Sequence, residues 1–89
     1  MNSRTTERFR KVFDQLSPQI QEQAREAYRL FEQNPQHPSL RFKKIHTSQD
    51  IYSVRISQGY RAWGVLEDNT IIWFWIGSHT DYDQLIKRL

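Results

Sequence analysis

The sequence of 89 residues is long enough for one domain with a single modest core and too short for two. Its formal net charge of +3 and its pI of about 9.5 favour a polyanionic partner. The absence of cysteine excludes disulfides, thiol catalysis and thiolate metal sites. No apolar run approaches the roughly 18 residues of a membrane span, and the three histidines lack the spacing of metal ligands. We therefore expect a cytoplasmic domain over residues 1–89, with no membrane contact, metal or other cofactor.

The N-terminal third of the chain predicts a helical hairpin. Apolar residues recur at helical spacing in its first part, at Phe9, Val12, Phe13 and Leu16. Thr5 or Thr6 is the candidate N-cap of this helix. Ser17 and Pro18 begin a second helix, because serine is a good N-cap and proline suits the first helical position. The second helix should continue to about Gln33, antiparallel to the first.

A loop at residues 34–39 contains two prolines, and beyond it the apolar period changes from helical to alternating. Four strands follow, at residues 40–45, 52–57, 60–66 and 70–76. The last of these is apolar on both faces, as expected for a central strand. A short helix, with Ser78 and Thr80 as candidate caps, ends the chain. We therefore predict an α+β fold: a helical hairpin packs on one face of a three- or four-stranded antiparallel sheet, followed by a short C-terminal helix.

Two arginines flank the turn between the second and third of these strands. If residues 57–59 form a three-residue loop with Gly59 in the left-handed conformation, Arg55 pairs with Arg61. Both side chains then point to the sheet face that the helices leave uncovered, although like charges directly opposite each other are mildly destabilising. A two-residue loop would shift the register by one and break this pairing. The pairing predicts a site for an anion.

Basic residues are concentrated in the middle of the chain. They are Arg41, Lys43, Lys44, His46, Arg55 and Arg61, and Asp50 is the only acidic residue among them. Acidic residues follow from Glu67 onwards. Such a distribution is a plausible electrostatic footprint for nucleic acid, although a solvated strand surface would give the same pattern.

Three segments occur in order along the chain: LRFKKIH at residues 40–46, YSVRISQGYRAWGV at 52–65 and WFWIGSHTDYDQLI at 73–86. Together they resemble the RelE/ParE superfamily of bacterial toxins from type II toxin–antitoxin systems. The similarity is to the ribosome-dependent, mRNA-cleaving branch and to HigB-like sequences. It implies an endoribonuclease that cleaves mRNA in the ribosomal A site without a metal and inhibits translation. The implied partners are mRNA, the ribosome and a cognate acidic antitoxin.

The resemblance also implies roles for individual residues. Arg61 matches the arginine that follows the family's Gly-Tyr and stabilises the phosphate. His79 and Tyr82 fall where members place a histidine or tyrosine for proton transfer or base stacking, and with Arg61 they are the candidate catalytic residues. The candidate RNA- and phosphate-binding residues are Arg41, Lys43, Lys44, His46 and Arg55.

Two departures from the family pattern leave an alternative open. Another basic position of cleaving members falls on Ser53, and Met1 to Thr5 is barely long enough for the N-terminal strand that members usually have. The alternative is a non-catalytic member of the same fold, either a gyrase-inhibiting ParE-like toxin or a degenerate binding module.

Overall fold

The structure, a computed structural model, describes residues 1–87, apart from the side chains of Tyr82, Leu85 and Ile86. The elements are β1 (Asn2–Thr5), α1 (Glu7–Asp14), α2 (Pro18–Gln33), a 3-10 turn (Pro38–Leu40), β2 (Lys43–Lys44), β3 (Ile51–Ser57), β4 (Tyr60–Glu67), β5 (Thr70–Ser78) and α3 (His79–Ile86). The strands form one sheet in the order β1-β5-β4-β3-β2. None of the helices within residues 1–87 is long and apolar enough to cross a membrane.

The predicted α+β architecture is confirmed, and the predicted number of strands is wrong. The sheet has five strands because the N-terminal segment adds β1, which runs parallel to β5. Backbone hydrogen bonds fix both ends of this short strand: Asn2 N–H donates to Asn69 O at 2.9 Å, and Thr6 N–H donates to Trp73 O at 3.0 Å. Four residues are therefore enough to cover β5 and make it an internal strand of the sheet.

Both predicted helices of the hairpin are present with the expected caps. Thr6 Oγ1 accepts a hydrogen bond from Phe9 N–H at 3.1 Å at the start of α1. Ser17 Oγ accepts from Ile20 N–H at 3.3 Å, and Pro18 is the first residue of α2. Each cap satisfies a backbone donor that has no partner within its own helix.

The main core lies between these helices and one face of the sheet. Phe31 of α2 makes edge contacts with Trp73 of β5 and with Phe42, at ring-centroid distances of 5.3 and 5.0 Å. The Trp73 indole is fixed further by a 2.9 Å hydrogen bond from its Nε1 to Ser3 Oγ. The buried members of this core are Ala24, Ala27, Phe31, Leu40, Val54, Ala62, Ile71, Trp73 and Ile76.

The strand predicted at residues 40–45 is much shorter in the structure. Pro38 opens a 3-10 turn, and Arg41 ends it with a φ of 47°, which interrupts the extended backbone. Only Lys43 and Lys44 pair with β3. Consequently the pairing of β2 with β3 stops at Ser53, and from Val54 to Ser57 β3 forms an edge of the sheet.

The β3–β4 hairpin keeps the predicted pairing through a different loop. Ser57 pairs with Tyr60, so the loop has two residues, and Gly59 is not in the left-handed region. Arg55 nevertheless pairs with Arg61, because the register shifts between Arg55 and Ser57 and leaves Ile56 as an extra residue. This β-bulge restores the phase that a two-residue loop would otherwise shift.

Candidate nucleic-acid interface

The sheet face opposite α1 and α2, called the open face below, carries two rows of residues in register. The tryptophan row contains Lys43, Ser53, Trp63 and Trp75. The arginine row contains Arg55, Arg61 and Gly77. The residues that alternate with them along the strands, Val54, Ala62 and Ile76, lie in the core against the helices. Because successive strand residues point to opposite faces, both rows face away from the helices.

The two arginines of the arginine row occupy different environments. Arg61 is half-buried, and its Nη1 donates to Ser57 O at 2.9 Å and to Tyr60 O at 3.0 Å. These bonds are two of the contacts of Arg61, and they hold the guanidinium at the turn end of the hairpin. Arg55 is half-buried too; it stands at the edge of the sheet, where it lines a groove of about 620 Å³ between α2 and β3.

The start of α3 lies at the same end of the sheet as the arginine row. The backbone N–H of His79 donates to Gly59 O at 2.7 Å, which ties the first residue of α3 to the β3–β4 loop. Gly77, two residues before His79, pairs with Arg61. Tyr82 also belongs to α3, but its side chain is outside the described part of the structure.

The His79 side chain has an acidic neighbour that the sequence analysis missed. His79 Nδ1 lies 3.3 Å from Asp83 Oδ2, and both side chains are about half exposed, at 50% and 53%. Residues four apart on a helix share one face, so the spacing of His79 and Asp83 was the available signal. A carboxylate at Nδ1 orients the imidazole ring.

Of the remaining candidate binding residues, the structure places only Lys43 in these rows. Lys44 pairs with Tyr52, on the helix side, and its Nζ lies 3.3 Å from Asp50 Oδ1. Arg41 belongs to no strand.

His46 is held by the loop that follows β2. Its Nδ1 accepts hydrogen bonds from the backbone N–H groups of Ser48 at 3.1 Å and Gln49 at 3.0 Å. The preceding Ile45 bonds to Ile51, which comes four residues before Arg55, about 13 Å along the strand at roughly 3.3 Å per residue. The structure thus separates His46 from the arginine row.

Comparisons with known proteins agree with this architecture. The sequence matches the family model of the ParE-like toxin domain over residues 18–84. The chain belongs to this family. As a member of the ParE-like toxin family, it falls within the RelE/ParE superfamily that its sequence resembles. No curated protein sequence matches the chain.

Solved toxin structures share the fold of this ParE-like domain at low sequence identity. A chain of the RelB–RelE antitoxin–toxin complex from Methanococcus jannaschii superposes with a TM-score of 0.72 and 16% identity, covering 91% of this chain and 95% of the matched one. For YafQ from E. coli the TM-score is 0.71 and the identity 10%, with 91% and 96% covered. For the isolated E. coli RelE toxin they are 0.66 and 20%, with 98% and 96% covered.

Proposed function

We propose that the protein is the toxin of a type II toxin–antitoxin system and acts in the cytoplasm as an endoribonuclease on mRNA in the ribosomal A site. Membership of the ParE-like toxin family supports the toxin role. The observation that carries the nuclease role is the arginine row: Arg55 faces Arg61 on the open face, next to the first residue of α3, His79. Two arginines and a histidine at the same end of the sheet supply the kinds of group that the cleavage of a phosphodiester needs.

In the proposed reaction, the 2′-hydroxyl of one nucleotide gives up its proton to solvent water and its oxygen attacks the adjacent phosphorus, while the bond from phosphorus to the 5′-oxygen breaks and a 2′,3′-cyclic phosphate remains. The transition state gains negative charge on the non-bridging oxygens, which Arg61 meets with its guanidinium while Arg55 adds a second cation. His79 in its protonated form donates a proton to the leaving 5′-oxygen. Tyr82 takes part in proton transfer or stacks on a base.

Asp83 positions His79 in this scheme. Its carboxylate lies 3.3 Å from Nδ1, which fixes the orientation of the ring. RNA rather than DNA is the substrate, because only RNA supplies the attacking 2′-hydroxyl.

A cognate acidic antitoxin is the proposed inhibitor. Structures of the fold include RelB–RelE antitoxin–toxin complexes from two archaea. The open face of this chain presents Lys43, Arg55 and Arg61, so an acidic segment laid across it would compete directly with the RNA phosphates. Such a segment would neutralise the same charges on which RNA binding depends.

The test is to map mRNA 5′ ends in a reconstituted translation reaction, with and without ribosomes. Wild type should produce cuts that need the ribosome, and Arg61→Ala should remove them. Arg8→Ala is the matched control, because it also removes a guanidinium, from an exposed position on α1. An uncut message with folded wild type would contradict the nuclease role and favour the gyrase-inhibiting or degenerate alternative.

The variant needs a folding control, because Arg61 does more for the fold than an exposed arginine does. Its two hydrogen bonds to backbone carbonyls are each worth about 0.5–1.5 kcal/mol, so Arg61→Ala should lower the free energy of unfolding measurably. Arg61→Lys keeps the charge but loses the bidentate fork. It should fold, bind RNA and cleave far more slowly than wild type, which separates a phosphate clamp from a purely structural arginine.

A further inference from the structure

Trp75 and Gly77 of β5 contact each other on the open face. A Cβ atom built on Gly77 would lie 2.6 Å from Cζ2 of Trp75, 3.1 Å from Cη2 and 3.2 Å from Cε2. The six-membered ring of the indole therefore occupies the space where any side chain at position 77 would begin. Because Gly77 pairs with Arg61, the ring extends from the tryptophan row into the arginine row.

The indole of Trp75 contacts a buried tryptophan and keeps part of its own surface in solvent. Trp63, its neighbour in the tryptophan row, is only 3% exposed, and the two ring centroids lie 5.3 Å apart at an interplanar angle of 50°. Trp75 itself is half-buried. A large aromatic ring that is held by a buried neighbour at its side and is itself partly exposed is suited to contact another flat ring.

The charges around Trp75 identify the class of ligand. Lys43 stands in the same row, while Arg55 and Arg61 form the adjacent one, and the described residues of the two rows include no carboxylate. The combination of a stacking surface with neighbouring cations matches single-stranded nucleic acid, in which flat bases alternate with phosphates. An acidic aliphatic ligand would use the cations but not the ring.

We propose that Trp75 is a stacking platform for the base of a nucleotide next to the phosphate that Arg55 and Arg61 hold, and that Gly77 is the positioning residue that lets the indole reach it. This inference rests on the proposed function and adds a base-recognition element to the same site. Stacking tolerates any base, so Trp75 sets the affinity for the nucleotide, whichever base it carries.

The test compares two RNA probes: a short single-stranded RNA and the same RNA with one abasic nucleotide, measured by fluorescence anisotropy. Wild type should bind the abasic probe about 5- to 150-fold more weakly, the range expected for one base–aromatic stack. Trp75→Leu should bind both probes with the same weakened affinity, and Gly77→Ala should do likewise because its Cβ displaces the ring. Trp75→Phe should be intermediate. Phe9→Leu, a change of an aromatic residue of α1 that packs against the main core on the other side of the sheet, should discriminate like wild type.

The salt dependence of binding separates stacking from phosphate contact. Trp75→Leu should leave the slope of log affinity against log salt unchanged, whereas Arg61→Ala should reduce its magnitude by about 0.7. A wild type that does not bind RNA or ignores the missing base, or a Trp75→Leu variant that still detects it, overturns the inference. Ribosome-dependent cleavage that persists in Trp75→Leu then leaves the proposed function standing. If wild type binds RNA and detects the missing base but cleaves no mRNA on ribosomes, the nuclease role is refuted and the stacking role of Trp75 stands.

Discussion

Two adjacent lysines on β2 provide a sharp test of the open face, because they point to opposite faces of the sheet and Lys44 has an acidic partner in Asp50. Lys43 pairs with Ser53 and stands in the tryptophan row, whereas Lys44 pairs with Tyr52 on the helix side and lies beside Asp50. Both are exposed surface lysines. Each alanine variant removes one positive charge from the same short strand, so the net charge and its long-range attraction for RNA change equally.

The expected difference lies in the number of phosphates neutralised. A lysine in direct contact with a phosphate of single-stranded RNA contributes about 0.7 to the slope of log affinity against log salt. If Lys43 makes one such contact, a fourfold change in salt should alter the affinity of Lys43→Ala about 2.6-fold less than that of wild type. Lys44→Ala should keep the wild-type slope, because its ammonium faces Asp50 and the helix side of the sheet.

The assay is an anisotropy titration of a short single-stranded RNA at four or more salt concentrations, for wild type and both variants. Thermal unfolding checks that all three proteins are folded. Equal slopes for Lys43→Ala and Lys44→Ala, both below wild type, would refute the assignment of the RNA path to the open face. A reduced slope for Lys44→Ala alone would place the RNA on the other side of β2.

Two further predictions concern stability. In Gly64→Ala the new Cβ would lie 2.8 Å from Cγ1 of Ile71, which is fully buried; overpacking of about 1–3 kcal/mol should lower Tm, while Gly59→Ala, with nothing within 4 Å of its Cβ, should melt at or slightly above the wild-type temperature. Equal melting temperatures for the two glycine variants would contradict this. Thr6→Ala removes the acceptor for Phe9 N–H and should reduce the free energy of unfolding in urea by about 0.5–2 kcal/mol, and an unchanged value would show that the cap is dispensable.

The helical half of the fold was predictable because its signals are local. Ser17 and Pro18 mark a helix start through their own chemistry, and the structure begins α2 at Pro18 and ends it at Gln33, as predicted. The first strand was not predictable from local signals. Residues Asn2–Thr5 become a strand only because β5 offers a free edge to pair with, and that edge is a property of the assembled sheet.

The hairpin shows how the sequence can predict a pairing through the wrong geometry. A three-residue loop and a two-residue loop with one bulge both place Arg55 opposite Arg61. Compared with a plain two-residue loop, each has one more unpaired residue between the two arginines, either in the loop or in the strand. Alternation in the sequence predicts which residues share a face only where no extra residue interrupts the strand. The pairing of Trp63 with Trp75 depends on a second bulge of this kind, with Phe74 as the extra residue, and no sequence signal indicated it.

The bulge at Ile56 explains how Arg55 and Arg61 come to face each other. Without it, Val54 would leave the core for the open face and Arg55 would enter the core, because a shift of one residue exchanges the two faces of a strand. The core therefore requires the bulge, and it requires Val54 opposite Ala62. The core itself makes no demand on the chemistry of the next pair, but Arg61 also serves the hairpin through its hydrogen bonds to two backbone carbonyls. Arg55 opposite it adds a like charge that is mildly unfavourable, by about 0.2–1 kcal/mol, and the proposed function accounts for that charge through a bound anion. An anion held between the two arginines reverses the sign of the interaction, which is the physical basis for placing the scissile phosphate at this pair.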